Sequence, residues 1–190
     1  MTWFPAATEF TKALASPDPT PGGGAAAAMA GAMGCALLLM AIGTTLKRKS
    51  TPAEDVPVLQ EYQHVLQGLH HTLTDYMAQD AAAYQAYVTA TQLPKENPAR
   101  TNKMQEALWR AALVPADTAA ACRHGLDVRP SVQEKIAPII LSDVFCARHL
   151  LMSAVACCVE NIRANLPFIT DTERVAQLTR VLEEYESNRK

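Results

Sequence analysis

The stretch SPDPTPGGGAAAAMAGAMGCALLLMAIGTTL, residues 16–46, decides the fold. Pro17, Pro19 and Pro21 stiffen a loop that runs into Gly22, Gly23 and Gly24. Three successive residues without a Cβ let a backbone or a ligand come very close. The small and apolar residues that follow read as a helix over about 24–46. Its first free N–H groups emerge at the glycines, a partial positive end suited to anionic or carbonyl oxygens. Ala27 with Gly31, and Ala30 with Gly34, let neighbouring helices approach at backbone distance. The prediction is a tightly packed helical core with a binding loop at one end.

Composition narrows the choices. Of 190 residues, 49% are apolar and 19% charged, enough to build the core of one domain and too apolar for a disordered chain. A formal net charge of −2 gives no electrostatic drive toward nucleic acid. The first ten residues lack a basic region and contain Glu9, so they do not read as a signal peptide. Residues 22–46 carry no charge and are long enough for a bilayer. Their Gly and Ala gain little from lipid, so the expectation is a helix packed in protein, with no membrane partner. Cys35, Cys122, Cys146, Cys157 and Cys158 form no CxxC pair and sit in apolar stretches. They are expected as reduced core thiols of a cytoplasmic protein.

Along the chain, apolar periodicity is helical throughout. A short helix is predicted over 3–15, with Trp3, Phe10 and Leu14 on its apolar side. The helix over 24–46 ends in Lys47, Arg48 and Lys49, which complement its dipole. Thr51-Pro52-Ala53-Glu54 reads as a capping box that opens a long helix to about 91. Leu93-Pro94-Lys95 breaks it. Another helix runs over 98–124, bent at Pro115, with His124-Gly125 as its stop and a connector at 126–137 containing Pro130. The next runs from Pro138 to Asn165, and a last amphipathic helix spans 171–187. The expected class is all-α, one domain over 1–190, a bundle of about six helices with long central ones.

Two polar residues interrupt apolar faces. Asp80 falls within about 40° of the stripe Leu66, Leu69, Leu73, Tyr76, Met77, Tyr84 and Tyr87. A carboxylate there is costly unless paired or functional. Burial would raise its pKa and suit it to proton transfer near neutrality. It equally fits a buried aspartate tied to a helix end or an arginine. Asp143 and Asn161 share one face of the 138–165 helix, and Asn165 lies four residues past Asn161. Buried amides commonly bond a neighbouring helix, and Ser142-Asp143 also suits a capping device. His70 and His71 diverge on their helix and have no partner at metal-ligand spacing, so no metal is expected. Neither a phosphate-binding loop with its Lys nor a Gly-x-Ser-x-Gly elbow is present. The 47–49 run reads as a solvated helix end, or as a contact for an acidic ligand tail.

In series, Ala15–Ala36, Asp80–Tyr87 (DAAAYQAY), Leu93-Pro94-Lys95, Val114-Pro115, Ser142-Asp143 and Asn161–Asp171 (NIRANLPFITD) resemble the cyclodeaminase/cyclohydrolase family of folate enzymes. The PGGG loop before an Ala-rich helix is the specific piece; the others gain weight from their order. The resemblance implies an all-helical homodimer acting on a tetrahydrofolate derivative. Members convert 5-formiminotetrahydrofolate to 5,10-methenyltetrahydrofolate with loss of ammonia, or hydrolyse the methenyl form to 10-formyltetrahydrofolate. It also implies that Asp80 is the proton donor. On that footing Pro21, Gly22, Gly23 and Gly24 press backbone on the ligand. Asp143 and Asn161 read the pterin edge, and Lys47 and Lys95 meet the glutamate tail. No cofactor or metal is implied, and the expectation leans to the deaminase reaction. The chain departs from the family pattern at Ala25, Ala78 and Ile136-Ala137, each of which removes a polar group from the expected site. Two rival readings are a folate-binding relative without catalysis and a purely structural helical or membrane-associated protein. The first predicts binding without turnover, the second detergent-dependent solubility.

Overall fold

The computed structural model describes residues 3–187. Every regular element among them is helical: α1 (Trp3–Leu14), α2 (Gly23–Leu46), α3 (Asp55–Thr91), α4 (Arg100–Gln133), α5 (Leu141–Asn165) and α6 (Thr172–Ser187). Single 3-10 turns at Pro138–Ile140 and Leu166–Phe168 flank α5. Helices α2 to α5 form an up-down-up-down bundle. α2 packs between α3 and α5, α4 packs on the same two, and α6 lies over the α4–α5 seam. Leu38, Ile42, Leu59, Leu66, Leu73 and Leu151 are fully buried at its centre.

The glycines of α2 set how close its neighbours come. A Cβ on Gly31 would stand 2.5 Å from Cys122 Sγ, and one on Gly34 would stand 2.7 Å from Leu151 Cγ. α2 and the segment Pro138–Phe168 are each apolar and long enough to cross a bilayer, although 56% of the apolar window of α2 is buried inside the bundle.

Several expectations are corrected. α4 does not stop at His124-Gly125, and residues 126–133 are helix rather than connector. Gly125 is a crossing point: a Cβ there would meet Leu151 at 3.3 Å. Val132 is fully buried and Val128 packs on the same core, so burial carries the helix past a glycine and Pro130. Thr51 opens no capping box. Its hydroxyl donates to the Thr45 carbonyl at the end of α2, and α3 starts at Asp55 with Pro57 in its first turn. No side chain caps α5 either, so Ser142-Asp143 is not a capping pair, and Asp143 simply occupies the first turn. Cys146 and Cys157 are exposed, whereas Cys35, Cys122 and Cys158 are core thiols. α1 carries no buried residue, and Trp3 and Phe4 lie open.

Pro115 sits inside α4 without ending it. It cannot donate to the Ala111 carbonyl one turn back. Asn165 of α5 supplies the missing donor, its Nδ2 lying 3.3 Å from that oxygen.

Candidate active site

α2 begins without a side-chain cap of its own, since Gly22 stands at the cap position. Its first-turn N–H groups must find partners elsewhere. Asp80, reaching across from α3, supplies one: Ala25 N–H donates to Asp80 Oδ2 at 2.9 Å. The Ala26 N–H donates to the Gly22 carbonyl. Among the described residues, the Gly23 and Gly24 N–H groups have no backbone partner. Two donors therefore point out of a helix N-terminus beside a carboxylate.

The glycines are required by what lies on them. A Cβ on Gly24 would fall 2.0 Å from Asp80 Oδ1, so the carboxylate occupies the space a side chain would take. A Cβ on Gly23 would lie 3.3 Å from Asn161 Nδ2. Asp80 from α3 and Asn161 from α5 thus flank the same turn. Asn161 Nδ2 donates to the Cys157 carbonyl, while Asn165 Nδ2 donates to the Asn161 carbonyl and to Ala111 on α4. Burial pushes the Asp80 carboxyl above the ordinary carboxylate range, and the Ala25 N–H offsets part of that rise. Asp80 is therefore both a tertiary cap of α2 and a carboxyl that keeps its proton to higher pH than an exposed one.

The predicted residues divide between the two ends of the bundle. Pro21 and Gly22 lead into the notch, and Lys95 lies on the same end, in the loop past α3. The last turn of α3 is already about 16 Å beyond Asp80 along the axis. Lys47 and Asp143 do not join them within one chain. Lys47 caps the opposite end of α2, about 37 Å from Gly22. Asp143 shares a face with Asn161 but lies five turns away on α5, about 27 Å. Helical spacing reports which face a residue occupies, not which end of the bundle. The departures are also relocated. Ala78 is exposed, and Ile136-Ala137 is buried at the far end, where the Ala137 N–H donates to Thr45 Oγ1. Only Ala25 touches the notch.

Among the described residues, no three His, Cys, Asp or Glu side chains are grouped to hold a metal ion. Sequence reading missed a cleft of about 740 Å³ between α4, α5 and α6, lined by Arg123, Asp127, His149, Ser153 and Tyr185. No motif marks it, because its walls come from three helices distant in sequence.

A family model described as Formiminotransferase-cyclodeaminase matches residues 6–184. A methenyltetrahydrofolate cyclohydrolase of Methylorubrum extorquens is 36% identical over 92% of this chain and 88% of its own length. The formimidoyltransferase-cyclodeaminase of Gallus gallus is 28% identical over 92% of this chain, which spans 34% of that longer protein. In the solved structure of a formiminotetrahydrofolate cyclodeaminase from Thermotoga maritima, the fold recurs with a TM-score of 0.83 at 27% identity, covering 95% of this chain and 87% of the other.

Proposed function

Because the chain belongs to the formiminotransferase-cyclodeaminase family, we propose that it is a folate one-carbon enzyme acting at the carbon between N5 and N10 of tetrahydrofolate. The observation that carries this reading is the Asp80 carboxyl, seated against Gly24 on a turn of α2 and pushed by burial above the ordinary carboxylate range. In methenyl hydrolysis, water adds to the bridge carbon, the N5–C bond breaks, and N5 takes a proton as the formyl group stays on N10. In cyclodeamination, N10 attacks the formimino carbon and ammonia leaves, its nitrogen protonated. Both reactions need a proton delivered to a departing nitrogen and rigid placement of a flat heterocycle.

In this reading Asp80 gives that proton. The Gly23 and Gly24 N–H groups bind an oxygen of the substrate, and their missing side chains let the ring lie against backbone. Asn161 offers its amide to the pterin edge. Lys95 meets the glutamate tail. In this reading the chain's own residues contribute proton transfer and placement of the ring, and the bond changes at the bridge carbon use no metal or redox cofactor. The enzyme works as a cytoplasmic homodimer on a reduced folate, with neither nucleic acid nor membrane as partner.

The relative of similar length at 36% identity supports hydrolysis as the first reaction to test. The structural match supports deamination as the second. Side-by-side assays with 5,10-methenyl- and 5-formiminotetrahydrofolate, followed at the methenyl absorbance, decide between them. Loss of the band with the first substrate marks hydrolysis, and its growth with the second marks deamination. No change with either, under conditions where the protein is folded, contradicts the reading.

A further inference from the structure

We propose that the cleft between α4, α5 and α6 is a second ligand site, and that it takes a free α-amino acid with a large apolar side chain. Its polar groups lie apart from the glycine notch. Asn161 turns toward Gly23 on α2, whereas His149 and Ser153 line the cleft with α4 and α6. The cleft stands whether or not the folate reading does.

Two contacts fix the register of α5 against α4. A Cβ on Gly125 would meet Leu151, and Asn165 reaches the Ala111 carbonyl, the same number of residues away on each helix. The helices are antiparallel, so Arg123 and Asp127 flank Gly125 just as Ser153 and His149 flank Leu151. Arg123 therefore stands level with Ser153, and Asp127 with His149. All four line the cleft. It carries two polar tiers, one helical turn or about 6 Å apart along the axis. One tier sets a guanidinium opposite a hydroxyl, the other a carboxylate opposite an imidazole. Leu126, Met152, Val155 and Ala156 supply the apolar wall beside them. A volume of about 740 Å³ falls among small-molecule sites, and an apolar wall with a few convergent polar groups is their usual composition.

The two charges that α4 presents here do not neutralise each other. Arg123 turns away from Asp127 and lies over the Tyr185 ring, 6.0 Å from its centroid, with Glu184 3.7 Å from its Nη1. The ring orients the guanidinium. Glu184 is 69% exposed, and so long a surface contact gives way to a ligand carboxylate held by two short bonds. Among the described residues, Asp127 makes no ion pair with Arg123 or with His149. His149 bonds neither Asp127 nor Ser153, so the three form no nucleophile–base–acid relay, and the cleft is built to bind. An anion alone would face Asp127 one turn away, and a cation alone would face Arg123. A ligand with carboxylate and ammonium on one carbon satisfies both tiers together. Its carboxylate meets Arg123 and the Ser153 hydroxyl, and its ammonium meets Asp127. Its side chain lies on Met152 and Val155, where burial of apolar surface holds it.

Calorimetric titration of the full chain with L-leucine and L-phenylalanine tests this. Both are expected to bind with a Kd of about 1 mM or tighter. Glycine, which offers the apolar wall no side chain, is expected to bind about tenfold more weakly or worse. N-acetyl-L-leucine lacks the ammonium and L-leucinamide the carboxylate, and each is expected to lose about tenfold or more. The same loss is expected for leucine on Arg123→Gln and on Asp127→Asn, with helical content unchanged because neither is a core residue. Asp80→Asn is expected to bind leucine as the wild type does. No binding of either amino acid at about 10 mM overturns the proposal. So does equal binding of the acetylated or amidated analogue, displacement of leucine by inorganic phosphate, or unchanged affinity in the Arg123 and Asp127 variants. Loss of leucine binding in a folded Asp80→Asn protein would place the ligand at the notch and overturn it as well.

Discussion

At the scale of single residues, the cap that Asp80 provides and the proton donation proposed for it can be separated by substitution. Its oxygen accepts the Ala25 N–H, and an asparagine oxygen accepts the same bond, but asparagine has no acidic proton to give. Ionisation gives a further handle. The folded pKa of Asp80 lies above its ordinary 3.8, so folding favours the protonated form. The stability this group lends is complete below about pH 4 and is lost as pH rises through the folded pKa. Asp80→Asn is therefore expected to be more stable than the wild type at neutral pH, with a flatter dependence of Tm on pH in that window. A wild type whose Tm rises where this account has it fall would contradict the assignment. Gly24 and Gly23 offer a graded pair. Gly24→Ala drives a Cβ into Asp80 Oδ1, displaces the carboxylate, and is expected to lower turnover roughly 100-fold. Gly23→Ala meets only the tip of Asn161 at 3.3 Å and is expected to cost far less. Equal losses in steady-state kinetics would show that the carboxylate position is not what the glycine protects.

At the scale of elements, six helices were legible because their apolar residues recur with helical period, and the PGGG run marked the start of α2. The false stop at Gly125 shows where local signals fail. Glycine and Pro130 argue for a break, yet the burial of Val132 and Gly125 against neighbouring helices holds α4 together. Nothing local to residues 126–133 reports that burial. The two ends of the bundle were illegible for a related reason. Asp143 and Asn161 share a face, and only the length of α5 separates them. The bond from Asn165 to Ala111 was partly legible, since a buried amide was expected to reach a neighbouring helix. Its reason is Pro115, which leaves that carbonyl without a donor. Asn165→Ala is expected to destabilise the fold by about 1–2 kcal/mol. In a Pro115→Ala background the backbone donates again, so the loss is expected to shrink. Denaturant titrations of the two single variants and the double variant measure the coupling, and additive effects would refute this pairing.

At the scale of the whole molecule, the bundle brings three distant segments onto one helix turn: the glycines of α2, the carboxyl of α3 and the amide of α5. Packing and chemistry meet there in the proposed mechanism, because the group that caps α2 is also the one assigned to deliver a proton. Binding alone and catalysis are separated by a single experiment, turnover of Asp80→Asn on the folate the wild type consumes, with its Tm and folate affinity measured alongside. The account predicts a fall in kcat of about 100-fold or more, with affinity and fold retained. Turnover at the wild-type rate in a folded Asp80→Asn protein would contradict it.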